Sequence, residues 1–435
     1  MSSLHDRHAT DPAGASPRVA FVIKTIVGRA GGAEKVLCNA ANALADAGAR
    51  VTIYHGDEPG RPFFPLRSSI DVISVRPKDR PIRAAAPSGA AALGPGGRLA
   101  ARHRFPRSLL TWWREHAWWI AALRRFLRAA RPDVVIAFQP SATTDTLIAA
   151  AGTGIPVVPS LHNVPTQDFE RPERWDPNPL DRWLRKRMLR QAARITVLLD
   201  EFRGWFPRAL QDRLVVLPNA VHVHGPLAEP DREDSERNRI VVVGRLAPAK
   251  DHACLVDAWA RIHAEHPRWQ VEIHGGGPLR KALLARISER GVGASLLLCG
   301  ETDAVMALYA RAKIFCIPSL FEGFGLVTAE ALAKGLPAVG FADCPGTNSL
   351  IRHEHNGLLA DPVAHGGDRA AALATALERL MIDAELRGRL GAAGPASVLD
   401  YRPEVVASRW VALVDDILPP GRALPKTAGL DGRSP

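Results

Sequence analysis

At 435 residues the chain is too long for one ordinary core, and two domains are the expectation. Hydrophobic residues at 46% and charged residues at 23% exclude wholesale disorder, and 36 Gly with 35 Pro in no fixed period exclude collagen-like and repeat architectures. The formal charge of +11, from 56 Lys+Arg against 45 Asp+Glu, favours an anionic partner such as a nucleotide, a phosphate or a membrane surface.

Residues 1–16 are polar and lack an apolar h-region, so a disordered amino terminus with no secretory signal is expected. The five cysteines lie far apart with no CxxC pair, which argues against a disulfide framework or structural zinc. No apolar stretch reaches membrane-spanning length before Pro, Gly or Arg interrupts it. These features predict a cytoplasmic protein.

Arg18 to Ile26 is a continuous apolar run and reads as a buried parallel strand. A glycine-bearing turn and an Ala/Leu-rich helix stopped by Gly48 follow it. Further strands are predicted at Val51 to Gly56, Asp133 to Phe138, Ile155 to Leu161 and Ile195 to Leu199. The alternation means βαβ units and a parallel sheet over residues 17–220. Residues 221–238, polar and rich in Pro and charge, read as an interdomain linker. The pattern restarts in 239–402, with strands at 239–246, Gln270 to Gly277, Ser295 to Gly300, Lys313 to Ser319 and Leu336 to Asp343. Residues 403–418 read as an amphipathic helix closing back on the first domain, and 419–435 as a disordered tail. Two doubly wound α/β domains therefore face across a cleft, the natural ligand site, since such sheets bind beyond their strands' carboxyl ends.

The informative residues follow strands. GRLAPAKD places Gly244, Arg245 and Lys250 after the first strand of the second domain, where a guanidinium and an ammonium can neutralise a diphosphate. A solvated basic loop is the plainer alternative. PSLFEGFGLVTAEALAKG puts Glu322 in a loop before a helix whose first amides, from Gly323, Phe324, Gly325 and Leu326, make an anion site. Glu330 lies over a turn inside that helix, at a distance suited to ribose hydroxyls. Apolar neighbours on all sides weaken its reading as an exposed helix carboxylate. Neither GxGxxG nor a Walker loop is present.

These motifs, together with IHGGGP around Gly276, HNGLLADP, and the weaker GGAEKVL, LHN and LPNAV of the first half, resemble the retaining glycosyltransferases of family 4, which have the GT-B fold. The resemblance implies transfer of a sugar from a nucleotide diphosphate donor, UDP-linked ahead of GDP-mannose, to a glycan or lipid-linked acceptor. It implies that Arg245 and Lys250 hold the departing diphosphate and Glu322 the sugar hydroxyls. The Gly323–Phe324–Gly325 amides would take the sugar or phosphate, and Glu330 the ribose. His162, Gly31 and Gly32 would contribute from the first domain, the histidine close to the reacting sugar. A plain strand-to-helix turn is the alternative at the two glycines. No cofactor is implied, the nucleotide sugar being a substrate, and no DxD motif suggests a metal. Departures from the family pattern fall at Ser349 and His222, where Glu and Asp are common. A sugar-nucleotide epimerase of the same fold and a non-catalytic basic scaffold are the competing readings.

Residues 61–131 hold fifteen Arg/Lys against three acids, a net of +12, and include Trp112, Trp113, Trp118 and Trp119. From Arg98 to Arg128 the segment suits an anionic membrane surface, making the protein peripheral at the membrane's inner face. A core helix with its tryptophans packed under the first sheet is the equal alternative. Without an accompanying motif, nucleic acid is not an expected partner.

Overall fold

The structure, a computed structural model, describes residues 16–29, 31–76, 105–170, 179–232, 238–419 and 421–424. Expectations for the amino terminus, and for residues 77–104 within the basic segment, therefore lie outside the described residues. One compact unit takes the chain through Ala220 and again from Glu404; the other takes Val221–Pro403.

The first unit is built on seven parallel strands: β1 (Arg18–Ile23), β2 (Arg50–His55), β3 (Asp71–Ser74), β4 (Val134–Phe138), β5 (Val157–Ser160), β6 (Ile195–Val197) and β7 (Leu214–Val216). Their order is β3-β2-β1-β4-β5-β6-β7. Val19 lies opposite Val51 on one side and Val134 on the other, so the strand order reverses at β1 and β4. β3 and β7, which the sequence reading missed, are the two edges. Four and three residues long and only partly buried, they carry no continuous apolar run to announce them.

The second unit has six parallel strands: β8 (Asn238–Val243), β9 (Trp269–His274), β10 (Leu296–Gly300), β11 (Ile314–Ile317), β12 (Ala338–Phe341) and β13 (Gly357–Ala360), in the order β10-β9-β8-β11-β12-β13. β13 too was missed, because its apolar residues sit inside a glycine-flanked motif. The core alternates as pleating requires: Val271 and Ile273 of β9 join Trp259, Leu373 and Leu377, while Glu272 and His274 face the opposite side.

Two expectations at the unit borders need correction. Described residues of the expected linker are strapped to the second unit. The wholly buried Lys334 donates from Nζ to the carbonyls of His224, at 3.1 Å, and Pro226. Lys313 reaches the Glu229 carbonyl at 2.9 Å and Arg387 the Pro230 carbonyl at 2.8 Å. Backbone oxygens, invisible to side-chain composition, are what these buried cations hold. The tail is ordered at residues 421–424: Leu424 is buried in the first core, and Arg422 pairs with Asp133 at 2.6 Å.

Helix Pro403–Asp415 lays Val406, Trp410, Leu413 and Val414 into the first unit's core. The Trp410 ring lies 6.5 Å from Phe21 and 6.1 Å from Phe138, covering β1 and β4. Trp410→Ala should destabilise this unit by about 3–5 kcal/mol, measured by denaturant unfolding; a change within 1 kcal/mol would mean the helix is not part of that core.

Candidate functional site

The order of the second sheet makes β8 and β11 hydrogen-bonded neighbours, with Ile240 opposite Ile314. The loops leaving their carboxyl ends therefore run side by side. Asp251, in the left-handed region at φ 43°, ends the first loop and caps helix His252–Ile262 by accepting from the Cys254 amide. That turn brings Lys250 back toward the second loop. Its Nζ donates to Oε1 of Glu322 at 2.5 Å, and the same oxygen accepts from the buried Ser319 hydroxyl at 2.6 Å. Both of these donors sit on Oε1, so Oε2 is the oxygen they leave to a ligand.

Glu322 is pinned through its backbone as well, its amide donating to the Pro345 carbonyl at 2.9 Å. Gly325, at φ 77°, turns the chain into helix Leu326–Ala333; its carbonyl accepts from the Thr328 and Ala329 amides, and the Leu326 and Val327 amides ahead of them have no carbonyl inside the helix to meet. Phe324 is buried edge-on against Tyr401, with centroids 5.0 Å apart, which fixes the backbone between Glu322 and the helix. Glu330 is buried within that helix and, after burial itself, helps hold the Tyr309 phenol well above its ordinary pKa.

Gly244 lies against the Lys250 stem, and a Cβ at Gly275 would come within 2.1 Å of the Gly244 carbonyl. The ends of β8 and β9 therefore touch backbone to backbone, and the Leu246 amide donates to the Gly276 carbonyl at 2.8 Å. Arg245 is exposed at this rim. Thus Gly244, Arg245, Lys250, Gly276, Glu322, Gly323, Phe324, Gly325, Leu326 and Glu330 all fall on the loops and helix at the carboxyl end of one sheet.

His162, Gly31 and Gly32 belong to the first unit. His162 stacks on Phe138 at 4.6 Å, and its Nε2 meets the Ser160 hydroxyl at 2.9 Å. Desolvation pushes its pKa down to about 3, so the ring is neutral. Gly31 precedes helix Gly32–Asp46, and a Cβ there would collide with the Glu34 carboxylate at 2.2 Å; at Gly32 it would meet open space. Gly31 thus makes room for Glu34, and Gly32 is the one open to a ligand.

Ser319 and His252 were not singled out by sequence. Ser319 stands three residues before Glu322, a spacing legible only once Glu322 is known to need orienting. Among the described residues one group has metal-ligating spacing, Glu272, His274 and Cys299. Its carboxylate already pairs with Arg239 and Arg311, each at 3.3 Å.

Two family profiles cover both units: Glycosyltransferase Family 4 matches residues 30–224 and Glycosyl transferases group 1 matches 227–397. The chain belongs to the family 4 glycosyltransferases of the GT-B fold. It is 31% identical over 230 residues to an exopolysaccharide phosphotransferase, SCO2592, of Streptomyces coelicolor, a match spanning 52% of this chain but only 23% of that much longer protein. It is 24% identical over 405 residues, 92% of this chain and 99% of the relative, to the GalNAc-alpha-(1->4)-GalNAc-alpha-(1->3)-diNAcBac-PP-undecaprenol alpha-1,4-N-acetyl-D-galactosaminyltransferase of Campylobacter jejuni. Among solved structures, Anabaena HepE in complex with UDP and glucose matches in fold with a TM-score of 0.66 at 16% identity, over 92% of this chain and 100% of that one.

His252 lends the glycosyltransferase a pH signature. Burial first, and Lys250 second, lower its pKa from 6.5 to about 4. Its contribution to stability is full above pH 6.5 and falls as pH drops toward 4, because the unfolded chain takes up the proton first. The loss should be about 1.4 kcal/mol for each pH unit in that window. His252→Gln should flatten the dependence in unfolding measured between pH 7 and 4.5; an unchanged slope would place the titration elsewhere.

Proposed function

We propose that this glycosyltransferase moves a sugar from a nucleotide diphosphate, UDP-linked ahead of GDP-linked, to a glycan or lipid-linked acceptor with retention of configuration and without a metal ion. The observation that carries the reading is the Lys250–Glu322 pair beside the Gly325-capped helix. Departure of the diphosphate builds negative charge, and fixed cations with oriented amides stabilise it in place. Lys250 and Arg245 supply the cations and the first amides of Leu326–Ala333 the dipole. Glu322 presents Oε2 to a sugar hydroxyl while Ser319 keeps the carboxylate oriented after Lys250 turns to phosphate. Glu330 takes the ribose, and His162, being neutral, can accept from or donate to a sugar hydroxyl. The UDP complex of HepE supports the choice of base.

Thermal shift against a panel of nucleotide sugars selects the donor, since a ligand of the folded state raises the melting temperature. With that donor, Lys250→Ala should lower turnover tenfold to a thousandfold, on the order expected for one lost charge-stabilising group. Glu322→Gln should cripple transfer yet keep nucleotide diphosphate affinity, and wild-type turnover should survive excess EDTA. Loss of activity to EDTA, restored by Mg²⁺ or Mn²⁺, would defeat the metal-free mechanism.

The acceptor reading extends to an anionic lipid surface. Helix Phe105–Ala130 buries Trp112 and Trp119, which settles those two as core, but Trp113 is 61% exposed beside exposed Leu109 and Leu110. The Trp112 indole donates to Asp181 at 3.2 Å, tying on helix Pro179–Met188, where Trp183 is 59% exposed next to exposed Lys186 and Arg187. Uncovered indoles among cations suit a headgroup layer, and the Campylobacter relative is named for an undecaprenol-linked substrate. Among the described residues no helix is long and apolar enough to cross a membrane. Co-sedimentation with anionic liposomes at low salt, lost at high salt and in Trp113→Ser/Trp183→Ser, is the expected result; indifference to anionic vesicles would refute it.

A further inference from the structure

Three elements of the first unit converge on one wholly buried carboxylate. Asp145, on helix Pro140–Ala150, lies 2.8 Å through Oδ2 from Nζ of Lys24, the first residue beyond β1. Its Oδ1 lies 2.7 Å from Nδ1 of His116 on helix Phe105–Ala130, and the His116 ring stacks on Trp112 with centroids 4.9 Å apart. Of the three polar groups Lys24 alone reaches solvent appreciably, with 27% of its side chain exposed against 6% for His116 and none for Asp145. Nearby, the Trp119 ring closes on Gly56, whose amide donates to the Lys24 carbonyl. Two enclosed atoms of this corner, Asp145 Oδ2 and Trp119 Nε1, lack an aligned hydrogen-bond partner.

A buried ion pair is weak evidence for stability, because desolvation offsets most of its attraction. This one stands at the carboxyl end of a central strand, where sheets of this kind present groups to ligands, and it holds an ammonium half-turned to water. We propose that Lys24 is an acceptor-binding residue that donates a hydrogen bond to a glycan hydroxyl, with Asp145 and His116 as its positioning residues. The proposal rests on the transferase reading and names the chemistry of its second substrate. An ammonium has three N–H donors; Asp145 faces it as an ion pair at 2.8 Å, and His116 Nδ1, spent as a donor on Asp145 Oδ1, accepts none of them, which leaves donors for a ligand. The Lys24 charge is already met by Asp145, so a phosphate would press a second anion onto a buried carboxylate, whereas a hydroxyl adds no charge. A site built to bond a hydroxyl rejects the analogue that lacks it.

The test uses the full chain, the donor selected above, and octyl α- and β-hexopyranosides with their monodeoxy analogues as acceptors, with donor hydrolysis to water read alongside. Lys24→Met should raise the acceptor KM about tenfold or more while donor KM and hydrolysis to water stay at wild-type values. The deoxy analogue that the wild type rejects should be penalised no further in this variant. Lys24→Arg, which keeps the pair with Asp145, is the second variant: it should melt as the wild type does and still raise the acceptor KM, because a planar fork replaces the ammonium. Unchanged acceptor KM in both variants overturns the assignment, as does a wild type that hydrolyses donor yet uses no glycoside. A wild type that acts on no nucleotide sugar fails differently, by removing the transferase reading on which the assignment rests.

Discussion

The contact between Lys250 and Glu322 depends on a constraint of sheet topology. The two residues are 72 apart in sequence, and they meet because β8 and β11 are adjacent parallel strands whose ends release their loops at the same edge. A parallel neighbour requires a crossover, so each strand end is followed by a loop and then a helix amino terminus. Cation, carboxylate and oriented amides are therefore gathered at one rim by backbone pairing.

Once that rim exists, its details follow from close packing. Gly275 lets one loop lie on the Gly244 carbonyl, and the Pro345 carbonyl takes the Glu322 amide. Ser319 adds a hydrogen bond that survives if Lys250 swings to a phosphate. The far end of the same short helix is tied down too: Lys334, its pKa lowered by burial, donates hydrogen bonds to the carbonyls of His224 and Pro226. One eight-residue helix thus follows the Glu322 loop at its start and ends at the strap on the incoming chain.

The first unit uses similar sheet geometry with different chemistry. Its rim carries a neutral histidine, an open Gly32 and an ion pair whose charges cancel, where the second unit gathers cations. Such a surface suits hydroxyl-rich ligands, in the same way that the Arg245 and Lys250 loop suits phosphate. Helix Phe105–Ala130 joins two roles, since Trp112, His116 and Trp119 face the protein while Leu109, Leu110 and Trp113 stay uncovered.

The sequence by itself determined the parallel α/β class, both sheets and the motif loops, because continuous apolar runs and glycine turns are local signals. It also carried the family resemblance through GRLAPAKD and PSLFEGFG, whose spacing survives in one dimension. The short edges β3, β7 and β13 stayed hidden, since three or four half-covered or glycine-flanked residues leave no periodic trace. Only tertiary structure decided that Trp112 and Trp119 are core while Trp113 is not, although the residues are near neighbours of one type in one helix. The same holds for the pairing of Lys24 with Asp145 and His116, and for the strapping of the polar segment after Val221. Each depends on which face of a distant element comes near, and that is set by strand order rather than by anything local to the residues themselves.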